Sequence, residues 1–241
     1  MPAPVFLTAE WRHLAMLNYQ VDPSLLAPFV PPGTELDFWG GKAFVSLAGF
    51  LFLNTRIRCI PVPFHRNFEE VNLRFYVRRK SGGEWRRGVV FIKELVPRLA
   101  IAWTAKILYN ENYAALPMSH RIEESQSEAK SVVYSWRFRG RENSMTLITQ
   151  CVAQPLGAGS EQEFITEHYW GYSAQRDGST LGYQVEHPRW NVWEAKESRL
   201  DCDIAGPYGR QFEPVLNRVP ASAFLAEGSA VKVYKGLRLR T

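Results

Sequence analysis

The stretch that decides the fold reads Phe68-Glu69-Glu70-Val71-Asn72-Leu73-Arg74-Phe75-Tyr76-Val77. Its side chains alternate with a period of two residues, which predicts a β-strand because successive side chains of a strand point to opposite faces of a sheet. One predicted face carries Val71, Leu73, Phe75 and Val77. The opposite face carries Glu70, Asn72 and Arg74, bracketed by Phe68 and Tyr76. The strand therefore places an acid, an amide and a guanidinium side by side.

The polar face of this strand has two interpretations, and the sequence leaves both open. On the outer surface of a sheet the face would be solvated. Inside a curved sheet it would form the floor of a polar pocket, in which Arg74 can bind a carboxylate through its forked guanidinium while Glu70 orients it. The aromatic rings of Phe68 and Tyr76 on the same face favour the semi-buried interpretation.

Short strands dominate the rest of the chain. Apolar runs predict strands at residues 14–21, 42–54, 88–95, 131–139, 144–153, 169–174, 180–187, 191–199 and 230–239. Short helices are predicted after the N-cap Asp22, over residues 99–109, and after the capping box that begins at Ser160. Because helices do not alternate with strands, we expect an α+β, β-dominated fold: a curved antiparallel sheet that curls into a barrel or half-barrel.

The composition is that of a folded protein with an ample core. Hydrophobic residues make up 46% of the 241 residues and aromatic residues 13%, which excludes global disorder. No linker rich in proline, glycine or serine divides the chain. We therefore expect a single domain over residues 1–241.

The net charge of +5 is dispersed along the chain. The densest basic runs, at residues 78–80 and 86–87, flank a predicted hairpin tip at Ser81-Gly82-Gly83, where basic side chains are ordinarily solvated. No nucleic-acid-binding motif accompanies the charge, so we do not expect a nucleic-acid partner.

The predicted location is the cytoplasm. The segment Met1-Pro2-Ala3-Pro4 lacks the basic and apolar regions of a signal peptide, and the longest uncharged apolar run, residues 43–55, is too short to span a membrane. Cys59, Cys151 and Cys202 are widely spaced, so free thiols are expected.

Two further clusters combine ionisable and aromatic side chains. The first is Glu167-His168-Tyr169 at a predicted helix-to-strand junction, and the second is His187-Pro188-Arg189-Trp190, in which Trp190 offers a flat apolar wall. Neither histidine has the spacing of a metal ligand pair, so no metal and no cofactor are expected. The chain also lacks a nucleophile elbow, a dinucleotide fingerprint and a phosphate-binding loop.

These motifs, in this order, resemble the uncharacterised YqjF-like bacterial family, domain of unknown function 2071. The early runs Tyr19-Gln20-Val21-Asp22-Pro23-Ser24-Leu25-Leu26 and Pro31-Pro32-Gly33 fit the family too. That family is similar in fold to acetoacetate decarboxylase, and the resemblance implies a curved antiparallel β-structure around a central, partly apolar cavity. Relatives tend to carry arginine where this chain has His168, and the histidine would make the charge at that position pH-dependent.

The chain departs from the decarboxylase at the catalytic lysines. The decarboxylase forms a Schiff base with a lysine pair in a Pro-Lys-Lys motif, and no such motif occurs in this sequence. Lys93, on a predicted strand, and Lys106, on a predicted helix, each lack an adjacent lysine. The sequence therefore argues against decarboxylation by that mechanism.

Two functions lead at this stage, ahead of a structural or nucleic-acid-interacting role for the basic surface. The first is an enzyme with lyase or hydrolase chemistry on a small anionic or oxo-containing molecule, for which the predicted catalytic residues are Glu70, Arg74 and His187. The predicted substrate-binding residues are Asn72, Tyr76, Tyr113, Glu167, Tyr169 and Trp190. The second is a non-enzymatic binding protein that uses the same cavity. The expected partner is a small-molecule ligand, and a homodimer is the expected assembly.

Overall fold

The computed structural model describes residues 3–61, 66–97, 112–124 and 129–239. The strands of these residues are β1 (Val5–Val21), β2 (Glu35–Leu36), β3 (Ala43–Ile57), β4 (Ile60–Pro61), β5 (Phe68–Ser81), β6 (Glu84–Val96), β7 (Tyr113–Ala115), β8 (Met118–Glu124), β9 (Lys130–Phe138), β10 (Arg141–Thr149), β11 (Trp170–Ala174), β12 (Thr180–Glu186), β13 (Val192–Asp201), β14 (Ser222–Tyr234) and β15 (Leu237–Leu239). The helices are α1 (Pro23–Leu26), α2 (Glu161–Thr166), α3 (Ala205–Tyr208) and α4 (Glu213–Leu216), with 3₁₀ turns at Ala27–Phe29 and Arg210–Phe212. The chain is therefore β-dominated, as the sequence predicts.

Seven of the strands in the described residues close into a ring. Neighbouring strands run in the order β12, β11, β6, β5, β3, β1 and β14, and β12 pairs with β14 to complete the circuit. The closing contact consists of Val185 opposite Val233 and Glu186 opposite Lys232. The ring has an inner and an outer face, and side chains alternate between them along each strand.

A second group of strands covers the outer face. From β14 the sheet continues through β13, β10, β9 and β8. Buried side chains of β9 and β10, among them Tyr134 and Met145, belong to one apolar cluster with Leu47 of β3 and Leu73 and Phe75 of β5. The apolar face of β5 is therefore the outer face of the ring, and the polar face points inward.

Glycine allows the covering strands to approach the ring. A Cβ atom at Gly49 would lie 2.6 Å from Tyr134 Cδ2 and 2.8 Å from Met145 Sδ, distances at which side chains must move. Gly49 thus lets the ring and its cover pack in direct contact.

The sheet is mixed rather than wholly antiparallel. Most pairings are antiparallel, as expected, but β6 pairs in parallel with β7 and with β11. Trp170 of β11 lies opposite Gly88, where an added Cβ would come within 2.7 Å of the Trp170 carbonyl oxygen. The sheet is thus dominated by antiparallel pairs, as expected, and its parallel pairs join strands that many residues separate in sequence, as parallel pairing requires.

Helix starts match the sequence closely. Asp22 caps α1 by accepting from the Ser24 backbone N–H at 2.8 Å, with proline at the first helical position. Ser160 caps α2 by accepting from the Glu163 N–H at 3.1 Å, although the Glu163 carboxylate returns to the N–H of Gly159 rather than to that of Ser160. The apolar face of α2 packs inside the ring.

The observed strand boundaries differ most from the predicted ones where the backbone bends. The predicted strand 14–21 begins at Val5, and the predicted strand 230–239 is in fact β14, which begins at Ser222, followed by β15. His13 on β1 and Gly228 on β14 both have positive φ and lie at adjacent positions of that strand pair. These bends break the period of two, so the pattern does not reveal the full strands. The predicted helix 99–109 lies outside the described residues.

Two remaining expectations concern cysteines and membrane spans. All three cysteines are free, as expected. In the described part of the chain, no helix has both the length and the apolar character needed to cross a membrane.

Gly49→Ala should destabilise the protein. The new methyl group would force the Tyr134 ring and the Met145 side chain apart, at a cost of about 1–3 kcal/mol in the free energy of unfolding. Urea denaturation measures this cost. Gly157→Ala is the matched control, because its Cβ would meet the nearest atom at an ordinary 3.7 Å. Equal stability of the two variants would contradict the close packing of ring and cover.

Candidate functional site

The polar side chains of β5 are buried inside the ring. Glu70, Asn72 and Arg74 are 3%, 1% and 9% exposed, which excludes a solvated strand face. Phe68 and Tyr76 belong to the inner apolar cluster, on the same face as the polar residues. The polar face is therefore buried on the inner side of the sheet, while the pocket and the functional roles of these residues stay predictions.

The strand register sets the surroundings of these side chains. On β3, Ala48 lies opposite Asn72 and Ser46 lies opposite Arg74, so both polar side chains face small neighbours. On β6, the buried Glu94 lies opposite Asn72. The register thus gathers polar groups from three adjacent strands on one inner patch.

Glu70 is poised to exchange a proton near neutral pH. Burial raises the pKa of Glu70 to about 7, and the hydrogen bond from Asn72 and the positive charge of Arg74 oppose the rise. Asn72 Nδ2 donates to Glu70 Oε1 at 2.9 Å. A carboxyl group with this pKa can act either as an acid or as a base in the physiological range.

Arg74 is a buried cation whose hydrogen-bonding capacity is largely unused. Its Nη2 atom lies 3.7 Å from Met16 Sδ, a weak acceptor, and its Nε atom has no partner within the described ranges. Neither does Asn72 Oδ1. Burying a guanidinium without a full set of acceptors is costly, so an anion in hydrogen-bonding contact would offset a penalty that the fold already carries.

His168 lies against the inner patch as a neutral ring. Its centroid is 4.6 Å from that of Tyr76, and its Nε2 atom is 3.5 Å from Asp37 Oδ2. That separation is at the limit of a hydrogen bond, and the Asp37 carboxylate is held by Arg87 at 2.6 Å. Burial lowers the pKa of His168 to about 4, although Asp37 opposes the shift. His168 therefore provides no cation near neutral pH, unlike the arginine that the family resemblance implies at this position.

The other two predicted clusters meet in one aromatic stack. The His187 ring is stacked on Trp190, with centroids 4.1 Å apart, and lies 4.8 Å from the Tyr169 ring. Trp190 Nε1 donates to Ser229 Oγ at 2.9 Å, and the Tyr169 hydroxyl donates to Glu167 Oε2 at 2.5 Å. Residues separated by some twenty positions in sequence therefore form one wall.

The hydrogen bonding of His187 determines which nitrogen can accept a proton. Its Nδ1 atom lies 2.9 Å from the Pro188 carbonyl oxygen, which can only accept, so Nδ1 carries the hydrogen and Nε2 carries the lone pair. Burial lowers the pKa of His187, and the charge of Arg74 contributes to the lowering. His187 is thus a neutral base within the electrostatic reach of Arg74.

Tyr113 is the remaining predicted site residue. It lies on β7, half-buried, opposite Glu94 and packed against the inner apolar cluster. It therefore borders the patch from the side of β6.

Sequence reasoning missed several buried polar residues near the patch. Asn18 and Ser46 interrupt otherwise apolar strands, and this interruption is a signal for a buried hydrogen-bond network. Asp37 follows a two-residue strand that has no detectable pattern, and Glu94 becomes notable only through its register with Asn72.

Comparison with known protein families places the chain among uncharacterised proteins. The model of the family DUF2071, described as an uncharacterized conserved protein, matches residues 8–230. The uncharacterized protein YqjF of Bacillus subtilis (strain 168) is 28% identical over 192 residues, which cover 77% of this chain and 74% of that protein.

Solved structures share the fold at low sequence identity. Acetoacetate decarboxylase from Legionella pneumophila aligns with a TM-score of 0.68 and 13% identity, covering 98% of this chain and 88% of that enzyme. The enduracididine biosynthesis enzyme MppR, in complex with pyruvate, aligns with a TM-score of 0.68 and 14% identity, covering 100% and 92% of the two chains. These similarities confirm the acetoacetate decarboxylase-like fold.

The raised pKa of Glu70 predicts a pH-dependent stability. The pKa of Glu70 is about 7 in the folded protein and 4.5 in the unfolded chain. Protonated Glu70 therefore contributes fully to the free energy of unfolding below pH 4.5, and this contribution is lost as the pH rises through 7. Glu70→Gln, which keeps an oxygen acceptor for Asn72, should therefore raise the free energy of unfolding at pH 8 by up to about 3 kcal/mol. Chemical denaturation between pH 4.5 and 8 measures the difference. The exposed Glu197→Gln is the control, and a pH-independent effect of Glu70→Gln would contradict the assignment.

Proposed function

Because the chain belongs to the DUF2071 family and has the fold of acetoacetate decarboxylase-like enzymes, we propose that the interior of its ring binds a small carboxylate-bearing or oxo-containing molecule. Arg74 is the anchor in this proposal. The single observation that carries it is a buried guanidinium with an unpartnered Nε atom beside a carboxyl group whose pKa is about 7. An anionic ligand supplies the acceptors that the fold leaves out.

The aromatic wall gives the proposed site an apolar side. Tyr169, His187 and Trp190 pack on one another, and the inner cluster adds phenylalanines from β3 and α2. A ligand with an anionic end and a small apolar or planar remainder matches both sides. Pyruvate in the complex of the structural neighbour MppR has this general chemistry, which supports the choice of oxo acids as first probes.

Proton transfer is the chemistry that we propose for an enzyme at this site. Glu70 can donate or accept a proton near neutral pH, and neutral His187 presents Nε2 as a base. Either group can act on a carbon next to a carbonyl or on a leaving oxygen, which are steps of lyase and hydrolase reactions. Arg74 would stabilise the negative charge that develops on the substrate oxygen.

A non-enzymatic binding protein is the second candidate. The missing Pro-Lys-Lys motif favours it, as does the position of Lys93, whose Nζ atom donates to Asn112 Oδ1 at 2.8 Å. The remaining lysine considered from the sequence, Lys106, lies outside the described residues. Binding without conversion requires only Arg74 as the anchor and the aromatic wall, and this chain has both.

The cellular setting is also a proposal. Three free cysteines are typical of a reducing compartment, which supports a cytoplasmic location. The homodimer, the single domain over residues 1–241 and the absence of a nucleic-acid partner stay predictions.

Arg74→Gln should abolish most anion binding. We expect pyruvate or acetoacetate to raise the melting temperature of the wild-type protein, and the variant to bind at least about tenfold more weakly because a charged hydrogen-bond donor is lost. Calorimetric titration measures the affinity. Arg121→Gln makes the same change at a side chain that is 69% exposed and should bind like wild type. Equal losses in both variants would contradict an anchor inside the ring.

The pH dependence of binding should come from Glu70. As Glu70 ionises above pH 7, its negative charge opposes a bound carboxylate, so the affinity should fall several-fold between about pH 6 and pH 8. Glu70→Gln should flatten this profile. The same slope in variant and wild type would exclude Glu70 from the site.

Turnover separates the two candidate functions. Proton NMR of wild-type protein incubated with each oxo acid detects conversion. Conversion that is lost in Glu70→Gln, while binding is retained, supports the enzyme. Saturable binding with no product in the wild type supports the binding protein.

A further inference from the structure

The cover of the ring ends at a strand whose outer edge carries no partner within the described residues. This strand is β8 (Met118–Glu124), the last in the strand order, and among the described residues it pairs only with β9. Its side chains reach solvent: Arg121 is 69% exposed and Glu123 is 65% exposed. An accessible strand edge offers a row of backbone donors and acceptors with which another strand can pair.

The backbone groups of β8 alternate between β9 and this free edge. The Pro117 carbonyl oxygen, directly before the strand, accepts from the Arg137 N–H of β9 at 2.9 Å. In an antiparallel pair, every second residue exchanges its hydrogen bonds with the neighbouring strand, and the residues between them point the other way. The N–H and C=O groups of His120, Ile122 and Glu124 therefore point away from β9, toward the free edge.

The side chains of β8 are ordered so that the strand complements itself. Arg121 lies directly before Ile122 and Glu123 directly after it, and His120 and Glu124 continue the same order one position further out. A two-fold axis at Ile122 would place Arg121 opposite the partner's Glu123, and His120 opposite the partner's Glu124. Opposite charges that face each other across an antiparallel pair stabilise it.

The neighbouring registers lack this match. A two-fold axis at Arg121 would oppose two guanidinium groups, and an axis at Glu123 would oppose two carboxylates, both of which destabilise a strand pair. At Ile122 the axis instead brings together two apolar side chains, each of which packs against the apolar cluster between ring and cover. Because the backbone groups of Ile122 face the free edge, the two copies can also exchange N–H···O=C bonds at this position.

The charges of β8 do not protect its edge against an identical strand. Charged side chains ordinarily discourage pairing at an edge strand. Here Arg121 Nε lies 3.7 Å from Glu123 Oε1 within one copy, so both signs already share one face of the strand. A second copy in the register of Ile122 would extend this pair into an alternating group of guanidinium and carboxylate groups, in which every neighbour has the opposite sign.

We propose that this chain forms a homodimer in which β8 pairs antiparallel with β8 of a second copy, with the two-fold axis at Ile122 and one continuous sheet running through both copies. The interface is isologous, so each copy uses the same edge and the assembly stops at two. The inference goes beyond the proposed function and does not depend on it, because β8 belongs to the cover and not to the ring.

Charge reversal on β8 tests this interface. Arg121→Glu would place carboxylates opposite carboxylates, and Glu123→Arg would place guanidinium groups opposite guanidinium groups. Each variant should raise the dissociation constant of the dimer at least about tenfold, measured by sedimentation velocity over a series of protein concentrations. Arg199→Glu is the matched control: it makes the same change on β13, at a side chain that is 79% exposed, and should dimerise like the wild type.

A mixture of the two reversed variants distinguishes lost pairing from lost folding. Arg121→Glu carries only acids at the two positions and Glu123→Arg carries only bases, so the equimolar mixture should form a heterodimer although neither variant associates alone. The double variant with both reversals restores the alternation and should dimerise with itself. A wild type that stays monomeric at every concentration, a dimer that both reversals leave intact, or a mixture that does not associate would overturn the proposal.

Hydrogen exchange locates the interface along the strand. The amide hydrogens of His120, Ile122 and Glu124 should exchange slowly in concentrated wild-type protein and rapidly after dilution, because only the second copy protects them. The Arg121 amide, which bonds to β9, should be protected at both concentrations. Exchange at the three edge amides that does not change with concentration, or that is the same in Arg121→Glu, would exclude pairing through β8.

Discussion

Two residue pairs between β12 and β14 decide what the inner face of the sheet can be. Val185 opposite Val233 and Glu186 opposite Lys232 join the ends of a curved sheet, and the second pair is reinforced by an ion pair at 3.0 Å. Without this contact the polar face of β5 would belong to an open sheet. With it, that face lies inside a ring. A polar group there either forms a hydrogen bond within the protein or lowers the stability of the fold.

The interior shows both outcomes. Tyr76, Ser46 and Asn18 satisfy one another in a chain that ends at a carboxylate near α2. Arg74 is only partly satisfied, and Glu70 keeps its proton up to about pH 7 because burial outweighs the nearby positive charge. Buried groups of this kind, which lower the stability of the fold, are typical of functional sites, since structural cores avoid them.

The departure from the decarboxylase fits this picture. The chain shares the fold over nearly its whole length but lacks the lysine pair of the Schiff-base mechanism. The proposed anion binding and proton transfer rest on other groups: a buried arginine, a carboxyl group with a raised pKa and a neutral histidine held as one tautomer. Shared fold and different chemistry are compatible because the scaffold fixes only the positions of inward-facing side chains.

The sequence by itself determined the local structure: the two faces of β5, the caps at Asp22 and Ser160, and the predominance of strands all follow from short-range periodicity and capping chemistry. It also identified the residues of β5 and of the aromatic wall, because polar and aromatic side chains stand out in apolar strands. Only the tertiary structure decided that the polar face points inward, that His168 is neutral, and that Asn18 and Ser46 connect Tyr76 to a distant carboxylate. Those facts depend on ring closure and strand register, which join residues as much as 204 positions apart and leave no periodic trace in the sequence.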